Sequence, residues 1–199
     1  MLEQDVVAEP DQRRRYLRTI TQEADRLTRL IENVLDFARI ANRRRTYRFE
    51  PLELHEVVGD AIAAIERPLA EAGMVVDRMV PAGLRVQGDR DVLTQLLVNL
   101  LTNAIKYAAS EKRILVTGAE LGDRVVLTVQ DFGPGIPRHE QSKVFRPFYR
   151  AGGELTRVAP GSGLGLALVQ EYARAHGGRV RLESNPGEGA RFEIALPRA

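Results

Sequence analysis

The N-terminal part of the chain repeats apolar residues at helical spacing. Between residues 11 and 45 they recur at alternating intervals of three and four, which predicts one long helix with a heptad seam. Asp11, after Pro10, is expected near the start of this helix, and the basic cluster 43–45 suits the C-terminal end of a helix dipole. A lone amphipathic helix must bury its seam against the rest of the chain or against another chain, and we favour another chain. The seam consists of Leu17, Ile20, Ala24, Leu27, Ile31, Val34 and Ala38.

The rest of the chain alternates between helical and strand-like patterns. Residues 46–50 alternate like a short strand that Pro51 interrupts. Helical spacing follows over 52–73, where Pro68 should kink or shorten the helix and Gly73 should end it. The mixture predicts an α+β fold, a two-layer sandwich with helices on one face of a sheet. Further strands are predicted at 74–80, 84–87, 112–120, 123–130, 179–184 and 190–196, and further helices at 89–109 and 162–176.

The composition fits a soluble globular protein. The chain has 199 residues, of which 44% are hydrophobic and 28% charged, and this suits one domain plus an extra element. A net charge of +2 gives no strong attraction to nucleic acid, and no apolar run approaches the roughly 20 residues of a membrane span. Cysteine is absent, and the three histidines lack the spacing of zinc ligands. We therefore expect a cytoplasmic chain that contacts neither nucleic acid nor a membrane. This expectation is compatible with a longer parent protein that is anchored in a membrane.

Two asparagines and a lysine share one face of the predicted helix 89–109. Asn99, Asn103 and Lys106 are spaced at i, i+4 and i+7, and the other faces are rich in leucine. Asparagine usually prefers helix caps, so two of them one turn apart among leucines need an explanation. A solvated edge with satisfied amides is one interpretation. The other is chemical, because an amide oxygen can ligate Mg²⁺ without adding charge and the lysine can meet phosphate.

A glycine turn follows the strand that delivers Asp131. In the segment DFGPGIP, Gly133 and Gly135 free the backbone around this carboxylate. A carboxylate here can accept a hydrogen bond from an exocyclic amine, the group that distinguishes adenine from guanine. A plain tight turn after an edge strand is the alternative. The DFG triplet does not indicate a DFG-type protein kinase, because the glycine-rich loop, strand lysine and HRD-type loop that should precede it are absent.

A second glycine segment, GSGLGLAL at 161–168, opens the predicted helix 162–176. Backbone N–H groups at a helix N-terminus bind phosphate. The spacing differs from the dinucleotide pattern G-x-G-x-x-G and no strand leads directly into it, which disfavours a Rossmann site. Between the two glycine segments, residues 143–160 carry aromatic anchors and then polar, glycine-containing residues, as in a mobile lid over a nucleotide. A plain surface loop is the alternative.

In this order, the segments resemble the N, G1, F and G2 boxes of bacterial sensor histidine kinases. The resemblance implies a Bergerat-type ATP-binding domain, shared with gyrase-type and chaperone ATPases, over residues 53–199. It also covers the front, because residues 20–40 look like the second helix of the family's dimerisation and phosphotransfer bundle. Residues 1–45 would then belong to the bundle and 46–52 to a linker. The implied partners are ATP, Mg²⁺, a response regulator receiver domain and a second copy of the chain, bound through the bundle helix.

The resemblance assigns roles to the polar face of helix 89–109. Asn103 corresponds to the asparagine that ligates Mg²⁺ in the family. Asn99 sits where the hydrolysing relatives place a glutamate that activates water. An amide cannot act as a general base, which fits transfer of phosphate to a side chain rather than to water. Lys106 and Tyr107 would approach the phosphates and the nucleotide, and Asn99, Lys106 and Arg150 would form the catalytic set.

The remaining contacts with ATP are implied in the same way. Asp131 would bind the adenine amine. Phe145 and Phe148 would pin the lid, and Arg150 would meet the γ-phosphate. Phe148 of the lid is also an implied nucleotide-binding residue. The others are Gly133, Gly135, Ile136, Tyr149, Gly161, Ser162, Gly163, Leu164 and Gly165.

One departure from the family is decisive. The family's phosphoacceptor histidine lies in an H-E-x-R-T-P-like motif on the first bundle helix, and this sequence contains no such motif. His55, His139 and His176 lie after the linker, past the first glycine turn and at a helix end, where structural or surface roles are expected. Residues 1–4 read like the tail of a missing first helix, so we expect a shortened form. Such a chain would bind Mg-ATP without phosphorylating itself.

Two other functions stay open. A serine-phosphorylating relative, such as an anti-sigma-factor kinase, would lack the long bundle helix and would usually carry glutamate at the position of Asn99. A non-catalytic, ATP-responsive dimerisation or scaffold module is the stronger competitor, because the acceptor histidine is absent. A separately added acceptor helix distinguishes the two classes, since a kinase domain would transfer phosphate to it and a scaffold would bind without transfer.

Overall fold

The computed structural model describes residues 10–42, 45–107, 111–151 and 162–199. A long N-terminal helix precedes a region of mixed helices and strands. The helices are α1 (Pro10–Ala41), α2 (Leu54–Ala64), α3 (Glu66–Ala72), α4 (Arg90–Tyr107), α5 (Arg138–Gln141) and α6 (Gly165–Ala175). The strands are β1 (Glu50–Glu53), β2 (Val75–Met79), β3 (Arg85–Gly88), β4 (Arg113–Leu121), β5 (Arg124–Asp131), β6 (Arg179–Ser184) and β7 (Ala190–Pro197).

Five strands form the main sheet, in the spatial order β2-β4-β5-β7-β6. Strands β2 and β4 run parallel, and the other neighbours run antiparallel. Alternate side chains from one face, such as Ile114 and Ile194, are buried together with Leu96 and Leu100 of α4 and Leu168 of α6. Helix α2 packs beside α4 in the same layer. This helical layer on one face of a mixed sheet confirms the predicted α+β sandwich.

A second, two-stranded sheet pairs β1 with β3 and differs from the prediction. The strand expected at 46–50 begins only at Glu50, and Pro51 lies inside it, opposite Gln87. Because β1 has a single neighbour, one of its edges needs no ladder hydrogen bond and can accommodate the missing N–H of proline. The prediction that Pro51 interrupts the strand was wrong for this reason.

Two helix boundaries also differ from the pattern. Helix α1 ends at Ala41 instead of residue 45, and the Nη1 atom of Arg45 lies 2.6 Å from Asp36 Oδ1. The last basic residue thus turns back toward the helix instead of extending it, while residues 43–44 lie outside the described residues. Helix α6 begins at Gly165 rather than 162, because Gly163 adopts a φ of 71°, which no right-handed helix contains.

The interrupted helix after β1 confirms the expectation for Pro68. The helical path breaks at Ile65, and Pro68 falls in the first turn of α3, where its missing N–H costs no intrahelical bond. Gly73 ends α3 in the left-handed conformation with a φ of 62°. The predicted helix 89–109 is observed as α4, and its last predicted residues, 108–109, lie outside the described residues.

The heptad seam of α1 is exposed over much of its length. Leu27 and Ile31 are 57% and 55% exposed, and nothing in the described part of the chain covers them fully. Nearer the C-terminal end, Phe37 and Ile40 pack against the core. Burial of the seam against another chain stays a prediction. Among the described helices, none is both long and apolar enough to cross a membrane.

Candidate functional site

A cleft of about 1080 Å³ opens between α4, the turn after β5 and the start of α6. This volume slightly exceeds the range of ordinary ligand pockets, about 300–1,000 Å³, and accommodates a nucleotide. Helix α1 contributes one side of it through Glu23, Glu32 and Asn33. Most of the residues predicted for the site line this cleft. They are Asn99, Asn103, Lys106, Tyr107, Asp131, Gly135, Ile136, Tyr149, Arg150, Ser162, Gly163 and Gly165.

The polar face of α4 places its two amides on the cleft. Asn99 is only 9% exposed, and its Oδ1 accepts a 3.4 Å hydrogen bond from Nε2 of Gln95, one turn earlier. The Nδ2 group of Asn99 is buried and has no hydrogen-bond partner within the described residues. A buried N–H donor without an acceptor is costly unless a ligand supplies one. Asn99 is therefore ready to donate to an anionic group in the cleft, with Asn103 half-buried one turn further along.

Asp131 is a buried carboxylate at the end of β5. It is 6% exposed, and its Oδ1 accepts hydrogen bonds from the backbone N–H groups of Gly133 at 3.0 Å and Ala190 at 3.2 Å. Burial raises the pKa of Asp131 above its ordinary value, and the two N–H donors offset only part of this effect. The carboxylate is thus held rigidly in a poorly hydrated part of the cleft, where a further donor from a ligand would be favourable.

The turn after Asp131 is held against two neighbouring segments. Gly133 lies against the backbone oxygen of Tyr107, so a side chain there would collide with the end of α4. Gly135 has a φ of 72° and approaches the backbone oxygen of Asn185. The next N–H, of Ile136, donates a 2.8 Å hydrogen bond to the Ser184 hydroxyl. These contacts fix the turn as one wall of the cleft.

The second glycine segment meets the aromatic segment of the predicted lid. Gly163 accepts a 3.0 Å hydrogen bond from the N–H of Phe148, and a Cβ on Gly163 would lie 2.7 Å from the Phe148 carbonyl carbon. Phe148 itself has a φ of 63°, a conformation that costs on the order of 1–2 kcal/mol in a bulky residue. This pair therefore requires glycine at position 163.

A few predicted site residues do not line the cleft. Phe148 is 65% exposed, and its ring meets Phe37 of α1 edge-on at 6.3 Å. Phe145 instead packs against Phe192, with ring centroids 6.4 Å apart. Leu164 is fully buried beneath the site. Gly133 is not among the residues that line the cleft, and Gly161 and residues 152–160 of the predicted lid fall outside the described residues.

The structure adds residues that the sequence analysis missed. Gln95 lies on the face of Asn99 one turn earlier, and its i, i+4 spacing was a usable signal. Glu140, on the short helix α5, also lines the cleft, and its Oε2 is buried without a hydrogen-bond donor in the described part of the chain. The burial of Glu140 depends on tertiary packing, and so does the position of Glu32 and Asn33 at the cleft. The sequence pattern therefore contained no signal for either.

Two protein-family models match the chain. The model described as histidine kinase-, DNA gyrase B-, and HSP90-like ATPase matches residues 88–199. The model of the His Kinase A (phospho-acceptor) domain matches residues 1–43. The second match corrects the expectation that the phosphoacceptor helix is missing from the chain, although residues 1–43 contain no histidine.

Curated and solved proteins give the same family. The sensor-like histidine kinase SenX3 of Mycolicibacterium smegmatis is 29% identical over 189 residues, which are 95% of this chain and 49% of that protein, so the chain spans about half its length. The crystal structure of full-length ShkA in complex with AMPPNP has a TM-score of 0.77 at 26% identity and covers 94% of this chain and 39% of its own.

The structure of ThkA in complex with the response regulator protein TrrA has a TM-score of 0.72 at 24% identity and covers 96% of this chain and 53% of its own. That likeness concerns the fold alone. The ATPase model, by contrast, spans more than half of the chain and includes the segments from α4 to α6 that line the cleft. The chain therefore belongs to the histidine kinase-, DNA gyrase B- and HSP90-like ATPases and carries the ATPase domain of a sensor histidine kinase.

Proposed function

We propose that the chain binds ATP with Mg²⁺ in this cleft and donates the γ-phosphate to a histidine outside its own sequence, for relay to an aspartate of a response regulator. The observation that carries the proposal is the buried carboxylate of Asp131 in the same cleft as the unpartnered amide of Asn99. The carboxylate of Asp131 suits an adenine amine, and the amide N–H of Asn99 suits a phosphate oxygen. A nucleotide presents both on one molecule.

Asp131 would give the cleft a preference for adenine over guanine. The exocyclic amine of adenine donates hydrogen bonds, and a carboxylate only accepts them. Guanine carries a carbonyl at the equivalent position, which would face Asp131 with a second acceptor. The backbone donors of Gly133 and Ala190 hold the carboxylate in place, so little reorganisation is needed when the base enters.

The phosphates would meet the start of α6 and two cations. Backbone N–H groups at a helix N-terminus favour anions, and Lys106 and Arg150 line the same cleft. Asn103 offers an amide oxygen, the type of ligand that Mg²⁺ accepts, and the bound ion would neutralise part of the phosphate charge. Asn99 cannot remove a proton from water, so it would orient phosphate without promoting hydrolysis.

We further propose that this chain does not phosphorylate itself. His176 is 4% exposed, and both ring nitrogens are engaged by backbone groups of Tyr172 and Asp89. His139 and His55 belong to α5 and α2 and not to the helix α1. A stable histidine-linked phosphoprotein, formed when the pure chain is incubated with labelled ATP, would contradict this part of the proposal.

The proposal extends to the domain division, the partners and the location of the chain. The domain division proposed is a helical region over 1–45, a linker over 46–52 and the ATP-binding domain over 53–199. Homodimerisation through α1 is supported by its exposed seam, and a response regulator partner by the ThkA–TrrA complex. A cytoplasmic location agrees with the need of this reaction for ATP.

Transfer to a separate acceptor tests the proposal. A fragment that carries an acceptor histidine on a bundle helix is mixed with the chain and labelled ATP. We expect label on the fragment, none on the chain, and a strong decrease with Asp131→Asn. Binding of ATP without any transfer would favour the alternative, a nucleotide-responsive scaffold.

A further inference from the structure

Helix α1 is joined to the ATPase domain by a polar contact at Asp36. The hydroxyl of Tyr172, on α6, donates a 2.7 Å hydrogen bond to Asp36 Oδ2. Tyr172 is fully buried, and burial together with this bond raises the pKa of its hydroxyl far above the ordinary value, so the proton stays in place. A buried hydroxyl without an acceptor would be costly, and the bond therefore favours a docked α1.

Arg45 completes the contact from the segment after α1. Its guanidinium lies 2.6 Å from Asp36 Oδ1 and stands over the Tyr172 ring at 5.1 Å and the Tyr47 ring at 5.8 Å. The Arg45 and Asp36 side chains are only 18% and 21% exposed, so solvent screens this pair less than a surface pair. Each carboxylate oxygen of Asp36 thus has its own partner.

The neighbouring residue on α1 touches the ATP cleft indirectly. Phe37 meets the ring of Phe148, whose backbone N–H is bonded to the Gly163 carbonyl at the edge of the cleft. Glu32 and Asn33, one turn earlier on α1, line the cleft themselves. A rotation or departure of α1 would therefore change both the mouth of the cleft and the support of the Phe148 segment.

We propose that Asp36, Tyr172 and Arg45 form a positioning cluster that sets where α1 lies relative to the ATP cleft. None of the three lines the cleft, so they act through the placement of α1 and not on the reacting atoms. The consequence rests on the proposed function: an acceptor helix packed on the seam of α1 must lie at a defined distance from the γ-phosphate, and α1 can fix that distance only if it is itself held in place. The cluster supplies that constraint without contacting ATP.

Distance measurement between two spin labels tests the cluster directly. The chain has no cysteine, so Arg18→Cys on α1 and Ala82→Cys in the exposed turn before β3 introduce two unique label sites. We expect a narrow distance distribution in the otherwise unaltered chain. Asp36→Asn, Arg45→Gln and Tyr172→Phe should each broaden or shift it, because each removes one contact of the cluster.

Arg39 provides a matched control. Its Nη1 atom lies 3.9 Å from Asp36 Oδ1, but its side chain is 65% exposed, so the pair contributes little. Arg39→Gln should leave the distribution unchanged. An unchanged distribution in all three cluster variants, or an equal change in Arg39→Gln, would overturn the proposal. So would a lower melting temperature in the cluster variants with no change in distance, because that is the result of a purely stabilising role.

Two features keep the test decisive. If circular dichroism shows that Tyr172→Phe fails to fold, Asp36→Asn and Arg45→Gln still report, since their side chains are partly exposed whereas Tyr172 is fully buried. The measurement uses the chain without nucleotide, so it is independent of ATP binding. If the chain fails to bind ATP, the proposed function is refuted, but the measured distances still decide whether the cluster positions α1.

Discussion

The Nε2 atom of His176, at the end of α6, accepts a 3.0 Å hydrogen bond from the backbone N–H of Asp89, just before α4. The Nδ1 atom lies 2.7 Å from the backbone oxygen of Tyr172, so a neutral ring with its proton on Nδ1 satisfies both partners. The rings of Tyr47 and Phe49 pack against the imidazole at 5.9 and 5.0 Å. His176 thus connects α6, the start of α4 and the segment after α1.

We expect acid to destabilise the chain through His176. Burial lowers the pKa of His176, and the bond to Tyr172 and the charge of Asp89 offset only part of this, so the unfolded chain binds a proton more readily than the folded one. The free energy of unfolding should therefore fall as the pH drops below 6.5, the ordinary histidine value, and through the lowered folded value. Denaturant titrations at successive pH values measure this slope.

The matched variants for this prediction are His176→Gln and His139→Gln. Loss of the buried ring should cost about 1–3 kcal/mol at neutral pH and flatten the slope. His139 has a side chain that is 74% exposed, so its replacement should leave the slope as it is. The same slope in His176→Gln as in the parent chain would assign the acid sensitivity to another group.

Asp131→Asn should weaken ATP binding by about 1–3 kcal/mol, because a charge-assisted hydrogen bond to the adenine amine is lost. Calorimetry with ATP and GTP measures the effect, and GTP should bind weakly to both proteins. Asp123→Asn is the control, since that side chain is 90% exposed at the β4–β5 turn. Equal ATP affinities in the parent chain and in Asp131→Asn would count against the adenine assignment.

ATP affinity should also decrease in acid as Asp131 becomes protonated. Burial raises the pKa of this carboxyl, so the decrease should begin at a higher pH than an exposed aspartate would give. Calorimetry from neutral pH downward should show a steeper fall for the parent chain than for Asp131→Asn, which lacks the titrating group. Parallel curves for the two proteins would mean that protonation elsewhere controls binding.

Gly163→Ala should damage the cleft more than Gly187→Ala does. Both glycines have positive φ, 71° and 85°, so either alanine should cost about 1–2 kcal/mol of backbone strain. Only at Gly163 would the new Cβ meet another backbone, that of Phe148, because space is open around Gly187. Both variants should melt earlier, and only Gly163→Ala should lose affinity for a non-hydrolysable ATP analogue. Equal affinities would show that this close approach does not shape the cleft.

Asn103→Ala should mainly reduce the dependence of ATP binding on Mg²⁺. The amide oxygen is the proposed ligand, so its loss should narrow the difference between affinities measured with Mg²⁺ and with a chelator. Asn185→Ala is the control, because that amide binds Glu188 at the surface. A full Mg²⁺ effect in Asn103→Ala would exclude this residue as the ligand.

Several parts of the site were predictable because they depend on short-range geometry. Asn99, Asn103 and Lys106 share a face of α4 through helical spacing alone, whatever surrounds the helix. Gly135 was expected to free the backbone after Asp131, and its positive φ agrees with that expectation. The contact of Phe148 with Phe37 was not predictable, since it depends on how α1 docks.

The sequence by itself determined the order of the longer helices and the strands of the main sheet, the α+β class and most of the segments that border the cleft, because periodicity and glycine turns are local properties. Only the tertiary structure decided that Tyr172 meets Asp36, from which it is separated by 136 positions. It also decided that α1 borders the ATP cleft. Such contacts depend on how whole elements pack, and the free energy of that packing comes from burial summed over many residues, which no local pattern records.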